Sequence, residues 1–305
     1  YEEANMKLSK QNRKHHSAAL ELLTKDKLTW EEQQFFFDNY FECADFDVSK
    51  AGAFFTPSDL ALDAALENGQ TDKEIHVLDL CAGIGVLSWA VLTRCPNAKV
   101  TAVEQNPKWV EIGKKLLPEV NWICADLAEL DLVELGYFDS VVTNPPFGRV
   151  HTLKSLKCPR YTGSEAHYKV LDIASVMAPS ITAIIPQQSC SWAYSKKRSF
   201  SEQTSKQLDR FVSETGIQFG MNMGIDTSSY GSFKATNITV EVVCCEYESA
   251  SWEDFGVGSN VLPFIKCDVP PKQTNVVPIA DAPDIPSNNK RREQLAAGHQ
   301  LDMFG

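Results

Sequence analysis

Short continuous apolar runs alternate with helix-period patterns between residues 75 and 149. Each run has the length of a buried strand, and each ends where glycines or polar side chains begin. The residues that mark these ends are Gly83 and Gly85, Glu104, Asp126, and Asn144. Alternating strands and helices predict an α/β fold with an open, mostly parallel, doubly wound sheet, whose ligands bind at the carboxyl ends of the strands.

A helical amino-terminal extension, residues 1–50, is predicted ahead of this sheet. Thr29 and Glu32 have the spacing of a capping box at the start of a helix. The aromatic residues that follow are Phe35, Phe36, Phe37, Tyr40 and Phe41. Such a dense aromatic face predicts that the extension docks onto the main domain.

The main domain is expected to span residues 51–248, with an insertion at 187–231 and a proline-punctuated tail at 249–305. Near its start, Thr56 is predicted as a helix N-cap and Pro57 as the first helical residue. Within the insertion, residues 201–214 have a helix-like pattern.

The composition favours a globular cytoplasmic protein over a membrane, secreted or disulfide-rich one. With 305 residues, 43% of them apolar, the chain can bury a full core. Its nine cysteines show no C-x-x-C spacing, which favours buried thiols in a reducing cytosol over disulfides or a metal site. No apolar run has membrane-spanning length and no secretory leader is visible, so a cytoplasmic protein without membrane contact is expected. The net charge of −11 argues against non-specific nucleic-acid affinity but leaves room for a local basic groove.

The polar strand ends suit a ligand that carries a nucleoside. Glu104 lies 19 residues after Gly85, close to the spacing at which doubly wound sheets place an acid on a ribose diol. Glycines without side chains let the backbone approach the ligand closely. Asp126 is expected to cap the next helix, to accept the exocyclic amine of an adenine, or both. The third glycine of the dinucleotide fingerprint is missing, which counts against NAD or FAD.

These motifs together resemble the class I S-adenosylmethionine-dependent methyltransferases. The resemblance rests on Asp79–Ser88, Glu104, Asp126 and the sequence Asn-Pro-Pro-Phe at 144–147, and it covers about residues 51–246. The Asn-Pro-Pro-aromatic form is typical of members that methylate a planar amino nitrogen. An upstream Phe-Thr-Pro at 55–57, followed by the glycine motif and then Asn-Pro-Pro-Phe, is similar to the order in N6-adenine DNA methyltransferases.

The resemblance implies a Rossmann-like fold and S-adenosylmethionine as the cofactor. The residues that it assigns to cofactor binding are Thr56, Asp79, Cys81, Ala82, Gly83, Gly85, Glu104, Gln105, Asp126, Leu127 and Asn144. It assigns catalysis to Asn144, Pro145, Pro146 and Phe147. It also implies a core strand at 181–186 and a later strand at 232–243 that starts near Phe233, an aromatic residue that stacks on the flipped base.

The chemistry of an exocyclic amine explains the catalytic turn. The lone pair of adenine N6 is delocalised into the ring, so the amine is a poor nucleophile. Two acceptors aimed at its two hydrogens favour a pyramidal nitrogen, and the natural pair is the Asn144 side-chain oxygen and the Pro145 carbonyl. Phe147 can stack on one face of the base and Phe233 can clamp the other. The sequence shows no obvious general base.

Cations beside the catalytic turn and in the insertion are expected to contact substrate phosphates. They are Arg149, Lys154, Lys157, Lys196, Lys197 and Arg198. The chain ends in Gln300, Leu301, Asp302, Met303 and Phe304, which resembles the short peptide by which bacterial DNA enzymes bind the replication sliding clamp. If this peptide binds a clamp, it favours DNA over RNA and a bacterial or phage source.

The sequence therefore predicts a DNA adenine N6-methyltransferase, with restriction-modification as one setting. Three alternatives stay open. An RNA base methyltransferase acting on N6 of adenine or N2 of guanine would use the same turn. A protein glutamine methyltransferase would act on another planar nitrogen, although such relatives usually carry Tyr where Phe147 stands. The last alternative is a non-catalytic binding module of the same fold.

Overall fold

A seven-stranded sheet runs through the part of the chain that the structure describes. The computed structural model describes residues 8–42, 54–68, 73–148, 153, 156–220, 223–230, 233 and 238–248. The strands are β1 (His76–Leu80), β2 (Lys99–Glu104), β3 (Asn121–Cys124), β4 (Ser140–Thr143), β5 (Ile181–Pro186), β6 (Trp192–Ala193), β7 (Ser201–Glu202), β8 (Gln218–Phe219) and β9 (Val240–Glu246). The sheet order is β3-β2-β1-β4-β5-β9-β8, and β6 pairs with β7 outside this sheet.

Strands β1 to β5 are parallel, whereas β9 runs antiparallel to both β5 and β8. The register aligns Leu80 with Val103 on one side and with Thr143 on the other, so the carboxyl ends of three strands meet at one edge. The expected α/β class with a mostly parallel sheet is confirmed. The sheet is mixed because the antiparallel strand β9 lies between β5 and the edge strand β8.

The helices are α1 (Lys10–Leu22), α2 (Trp30–Asn39), α3 (Ser58–Ala64), α4 (Val86–Arg94), α5 (Pro107–Leu116), α6 (Leu132–Leu135), α7 (Ala166–Met177) and α8 (Lys206–Thr215). Short 3₁₀ segments follow at Ala65–Asn68, Gln187–Ser189 and Thr227–Ser229. Alternate side chains of β1 enter two different cores: Val77 belongs to one, and Leu78 and Leu80 to the other. Both faces of the sheet are therefore covered, as in a doubly wound fold.

Part of the predicted aromatic face, at the end of α2, enters one of these cores, whereas Phe35 is exposed and Phe41 packs with Leu8 instead. Phe36, Phe37 and Tyr40 are fully buried there, and the Phe37 ring lies 5.5 Å from that of Trp89 in α4. Burying each such side chain contributes about 1.5–3 kcal/mol. The capping box is confirmed, because Thr29 accepts from the Glu32 amide and Glu32 accepts from the Thr29 amide.

Three predicted element boundaries are wrong. The N-cap of α3 is Pro57, because the Thr56 hydroxyl bonds elsewhere, as described below. The helix predicted at 201–214 begins only at Lys206, since Ser205 is the residue that caps it by accepting from the Leu208 amide. The last strand begins at Val240, and the described residues just before it, Ile238 and Thr239, are not in a strand.

Several predicted features lie outside the described residues. These are Arg149, Lys154 and the whole carboxyl-terminal tail from residue 249, including Gln300–Phe304. No helix in the described ranges is both long enough and apolar enough to cross a membrane.

Candidate active site

The turn after β1 is built from residues in left-handed backbone conformations. Cys81, Gly83 and Gly85 have φ angles of 62°, 58° and 92°. The Gly85 amide donates to the Ala82 carbonyl at 2.9 Å, and the Ala82 amide donates to the Val103 carbonyl at 3.0 Å. These bonds close the turn and tie it to the end of β2. A positive φ is unfavourable for a non-glycine residue, so Cys81 is held there by the surrounding structure.

Close approach is the second reason for glycine at position 83. An ideal Cβ built on Gly83 would lie 2.8 Å from Cε1 of Phe55, a distance that real Cβ atoms essentially never show. The Phe55 ring therefore lies directly on the turn, and the Phe54–Pro57 segment forms one wall beside it. Gly85 has a packing role instead, because its Cβ would meet Leu117 and Trp122 at 3.0 Å.

Two buried carboxylates flank this turn. Glu104, at the end of β2, accepts from the Gly83 amide at 2.9 Å and from the Asn106 amide at 2.8 Å. Asp79 in β1 accepts from the Ser88 amide and hydroxyl through one oxygen, Oδ2. Its other oxygen, Oδ1, is buried and makes no hydrogen bond within the described residues.

Burial controls the protonation of both acids. Desolvation raises the pKa of Asp79 to about 7, partly offset by its bonds to Ser88, and the nearby Glu104 charge adds to the rise. Desolvation also raises the pKa of Glu104, against the lowering effect of the backbone amides that it accepts. Two acids kept close together in a dry site favour a ligand with positive charge or hydroxyl donors.

Asn144 stands at the end of β4, beside the same edge. Its Nδ2 donates to the Phe54 carbonyl oxygen at 2.7 Å and to Thr56 Oγ1 at 3.0 Å. Thr143 Oγ1 donates to the Leu80 carbonyl at 2.6 Å, which ties the end of β4 to the end of β1. Because both amide hydrogens are used, the amide has one orientation, with Oδ1 as its remaining polar atom.

The aromatic residues predicted to contact a base share one core cluster. Phe147 and Phe233 are both buried, with 8% and 9% of their surfaces exposed. The Phe54 ring packs 5.8 Å from that of Phe147 and is only half-buried. Phe54 and Phe147 thus form an aromatic pair next to Asn144, to which Phe54 is hydrogen-bonded through its carbonyl.

The remaining predicted cofactor residues follow the strand ends. Cys81 and Ala82 are half-buried in the turn, Gln105 is exposed after β2, and Leu127 is buried. Asp126 Oδ1 accepts from the Ala128 amide at 2.9 Å. It therefore caps a turn, whereas the predicted helix from residue 127 is not formed.

The predicted phosphate contacts lie on exposed segments. Lys157 is exposed after residue 156, and Lys196, Lys197 and Arg198 are exposed between β6 and β7. The fully buried Glu241 anchors the start of that turn. Its Oε1 accepts from Gln187 Nε2 at 2.7 Å and from the amides of Tyr194 and Ser195 at 2.8 and 2.9 Å. The three cations at 196–198 thus lie on a turn that Glu241 holds by hydrogen bonds near the end of β5; residues 194–198 are called the braced turn below.

Sequence reasoning missed three residues that shape this site. Phe54 supplies the carbonyl that Asn144 uses and the ring beside Phe147. Asp38 and Glu42, from the amino-terminal extension, bond to the segment that contains Phe54. The doubled phenylalanine at 54–55 was a signal for the first. For the two acids, the sequence offered no periodic or motif signal.

Residues 49–157 match the family model described as Methyltransferase small domain, which spans roughly a third of the chain. A release factor glutamine methyltransferase from Mycolicibacterium smegmatis is 37% identical over 82 residues, covering 26% of this chain and 29% of that protein. The ribosomal RNA large subunit methyltransferase G from Pseudoalteromonas translucida is 30% identical over 115 residues, covering 35% of this chain and 30% of that protein. The chain thus spans less than a third of the length of these relatives.

Among solved structures, a Listeria monocytogenes protein assigned to the class I S-adenosylmethionine-dependent methyltransferases superimposes with a TM-score of 0.52. It is 11% identical, and the alignment covers 80% of this chain and 82% of that one. At this identity the likeness shows the fold, which is that of the class I methyltransferases.

The fold and the family match imply S-adenosylmethionine as the cofactor, and the site suits that molecule. The turn carries glycine at positions 83 and 85, so its backbone there has no side chain of its own between it and a ligand. The unbonded Oδ1 of Asp79 is a buried acceptor suited to an ammonium donor. A carboxylate has about four acceptor positions, so Glu104 can accept from a ribose hydroxyl in addition to the backbone amides that it already binds.

Proposed function

We propose that this chain is a DNA adenine N6-methyltransferase that uses S-adenosylmethionine. The observation that carries the proposal is the orientation of Asn144. Its two amide hydrogens are donated to Phe54 and Thr56, so its oxygen is the atom left to accept. An acceptor held at this strand end, beside the glycine turn, suits an amino nitrogen that must approach a methyl donor.

The bound cofactor would supply an electrophilic methyl group on a sulfonium centre. Glu104 and Asp79 would hold it, and the Gly83 turn would let it lie close to the backbone. Asn144 Oδ1 and the Pro145 carbonyl would accept the two amine hydrogens of the target base, which favours an available lone pair. Proline fixes its own φ, so the second acceptor is rigid. Phe147 and Phe54 would exclude water from the reacting amine.

A nucleic-acid base fits this site better than a peptide amide for two reasons. Phe147, in place of the Tyr usual in glutamine-modifying relatives, offers an apolar ring for stacking. The braced turn with Lys196, Lys197 and Arg198 offers charge for phosphates. The matched ribosomal RNA methyltransferase favours an RNA base as second candidate, and the release factor methyltransferase favours a glutamine amide.

The deciding experiment offers the purified chain three substrates with labelled S-adenosylmethionine: duplex DNA, ribosomal RNA and a glutamine-bearing release factor. We expect label in DNA, recovered as N6-methyladenine after digestion. Label in RNA or in the factor would replace the proposal by the corresponding alternative. Absence of label in all three, with intact cofactor binding, would favour the non-catalytic module.

The raised pKa of Asp79 leads to a pH prediction. Binding a cationic cofactor needs the carboxylate form, which is depleted below the raised pKa of about 7. The dissociation constant of S-adenosylmethionine should therefore rise as pH falls from 8 to 6, by up to about tenfold per pH unit. Calorimetry across this range measures it. In the Asp79→Asn variant the slope should flatten, and an unchanged slope would contradict the role of Asp79.

The terminal peptide from Gln300 to Phe304 is proposed to bind a replication sliding clamp. Leu301, Met303 and Phe304 would fill an apolar pocket on the clamp, and Gln300 would anchor the peptide through hydrogen bonds. A purified bacterial clamp should bind the full chain, and Leu301→Ala with Phe304→Ala should weaken binding at least about tenfold. An Asn289→Ala variant upstream serves as the control, and equal binding by all three chains would refute this partner.

A further inference from the structure

We propose that the amino-terminal extension is part of the catalytic apparatus, with Asp38 and Glu42 as positioning residues that orient Asn144. They act through the segment Phe54–Ser58, which both of them contact. This inference rests on the proposed function, in which Asn144 Oδ1 accepts a hydrogen of the target amine.

The first step is a helix cap supplied from a distant element. Helix α3 has Pro57 as its N-cap, and a proline side chain cannot accept a hydrogen bond. Asp38, at the end of α2, fills this role: Oδ1 accepts from the Ser58 amide at 3.2 Å and Oδ2 from the Ser58 hydroxyl at 2.9 Å. Its negative charge at a helix amino terminus is also favourable.

The second step fixes the chain just before that helix. Glu42 is fully buried, and its Oε1 accepts from the Phe55 amide at 3.3 Å. The Tyr40 ring lies 6.1 Å from the Phe55 ring, in a stacked arrangement. Two acids of the extension therefore hold the segment at two positions, Phe55 and Ser58.

The anchored segment in turn fixes the orientation of the Asn144 side chain. Between the two anchored positions lies Thr56, whose hydroxyl accepts from Asn144 Nδ2, and Phe54 supplies the other acceptor. If these two acceptors shift, the amide can rotate and present nitrogen in place of oxygen to the amine. A donor at that point would compete with the hydrogens of the amine, so the orientation matters for rate more than for fold.

A purely structural role is the competing explanation, because α2 also contributes Phe36 and Phe37 to the core. The two explanations differ in what Asp38→Ala changes. Loss of a helix cap alone lowers the melting temperature and leaves kcat at 25 °C unchanged. A positioning role lowers kcat by about tenfold at a temperature where the chain is fully folded.

The experiment measures kcat, KM and melting temperature for Asp38→Ala, Asp38→Asn and a control, Glu31→Ala, which alters an exposed acid on the same helix. We expect the kcat loss in Asp38→Ala, with partial rescue in Asp38→Asn, whose amide oxygen can still accept from Ser58. The control should match the wild type. A second test combines Asp38→Ala with Thr56→Val. Since both act through Asn144, the combined kcat loss should be smaller than the product of the single losses.

An additional readout does not depend on activity. In the chain with ¹⁵N-labelled asparagine, the two side-chain amide protons of Asn144 are assigned by their loss in Asn144→Asp. Asp38→Ala and Glu42→Gln should shift both protons, and Glu31→Ala should not. If the wild type methylates none of the substrates but these shifts occur, the proposed function fails and the positioning stands. Unchanged amide shifts, or kcat losses that multiply fully, would overturn the positioning role.

Discussion

Replacing Asn144 with alanine should lower kcat for methyl transfer by about 10²- to 10³-fold, the loss typical of removing one preorganised polar group from a reacting centre. The change deletes the oxygen that we propose accepts an amine hydrogen, and the Pro145 carbonyl alone cannot set the nitrogen geometry. The dissociation constant of S-adenosylmethionine should change far less, because Glu104 and Asp79 remain. Single-turnover kinetics with saturating cofactor, together with calorimetry, separates the two quantities.

The matched control for this prediction is Asn121→Ala. Asn121 is an exposed asparagine at the amino end of β3, away from the carboxyl ends of the strands where the site lies. Its Nδ2 donates to Thr101 Oγ1 at 3.4 Å. Its loss should leave kcat unchanged. If the Asn144→Ala chain keeps more than about a tenth of the wild-type kcat, the acceptor role of Asn144 is wrong.

The strand ends could be predicted from the sequence because a buried apolar run stops there and glycines or polar side chains begin. A parallel strand covered on both faces is mostly apolar, so glycines or a carboxylate that follow such a run mark its end, although Asp79 is a buried carboxylate inside β1. That rule located Gly83 and Glu104, and the structure brings both to one edge, where the Gly83 amide donates to the Glu104 carboxylate. Parallel pairing alone explains why residues far apart in sequence meet there.

The side-chain partners at this edge could not be predicted in the same way. Thr56 has the sequence features of a helix cap, and only the tertiary structure shows its hydroxyl accepting from Asn144, 88 residues away. Sequence patterns describe the local hydrogen bonds of a threonine, such as capping the next helix. In the folded chain the Thr56 hydroxyl accepts from Asn144 instead. Asp38 is the converse case, since it caps a helix that begins 20 residues later.

The strands of the insertion and the start of the last strand could not be predicted from the hydrophobic pattern either. Strands β6, β7 and β8 have two residues each, which is too short for any alternating pattern to be read. The segment that follows β6 also depends on Glu241, a buried charged residue at the second position of β9 that the apolar pattern alone would count as an exception. Its bonds to Tyr194 and Ser195 show that it organises the neighbouring turn.

A second large effect is expected at the glycine turn. In Gly83→Ala the new methyl group would stand 2.8 Å from the Phe55 ring, on a residue with φ of 58°. Left-handed backbone costs an alanine about 1–2 kcal/mol, and crowding in a packed site costs about 1–3 kcal/mol more. Phe55 or the turn must move, which displaces the Gly83 amide that donates to Glu104, the carboxylate proposed to hold the cofactor. The dissociation constant of S-adenosylmethionine should therefore rise at least about tenfold, measured by calorimetry.

Gly216→Ala is the matched control, because Gly216 ends α8 with a φ of 73° and its Cβ would meet nothing within 4 Å. It carries the same backbone cost without the crowding, so it should lower the melting temperature and leave cofactor affinity unchanged. In the double variant Gly83→Ala with Phe55→Ala the clash is absent, so the combined loss of stability should be smaller than the sum of the two single losses. If Gly83→Ala binds the cofactor as tightly as Gly216→Ala does, the cofactor does not lie on this turn, and the site proposed around Glu104 and Asn144 must be abandoned.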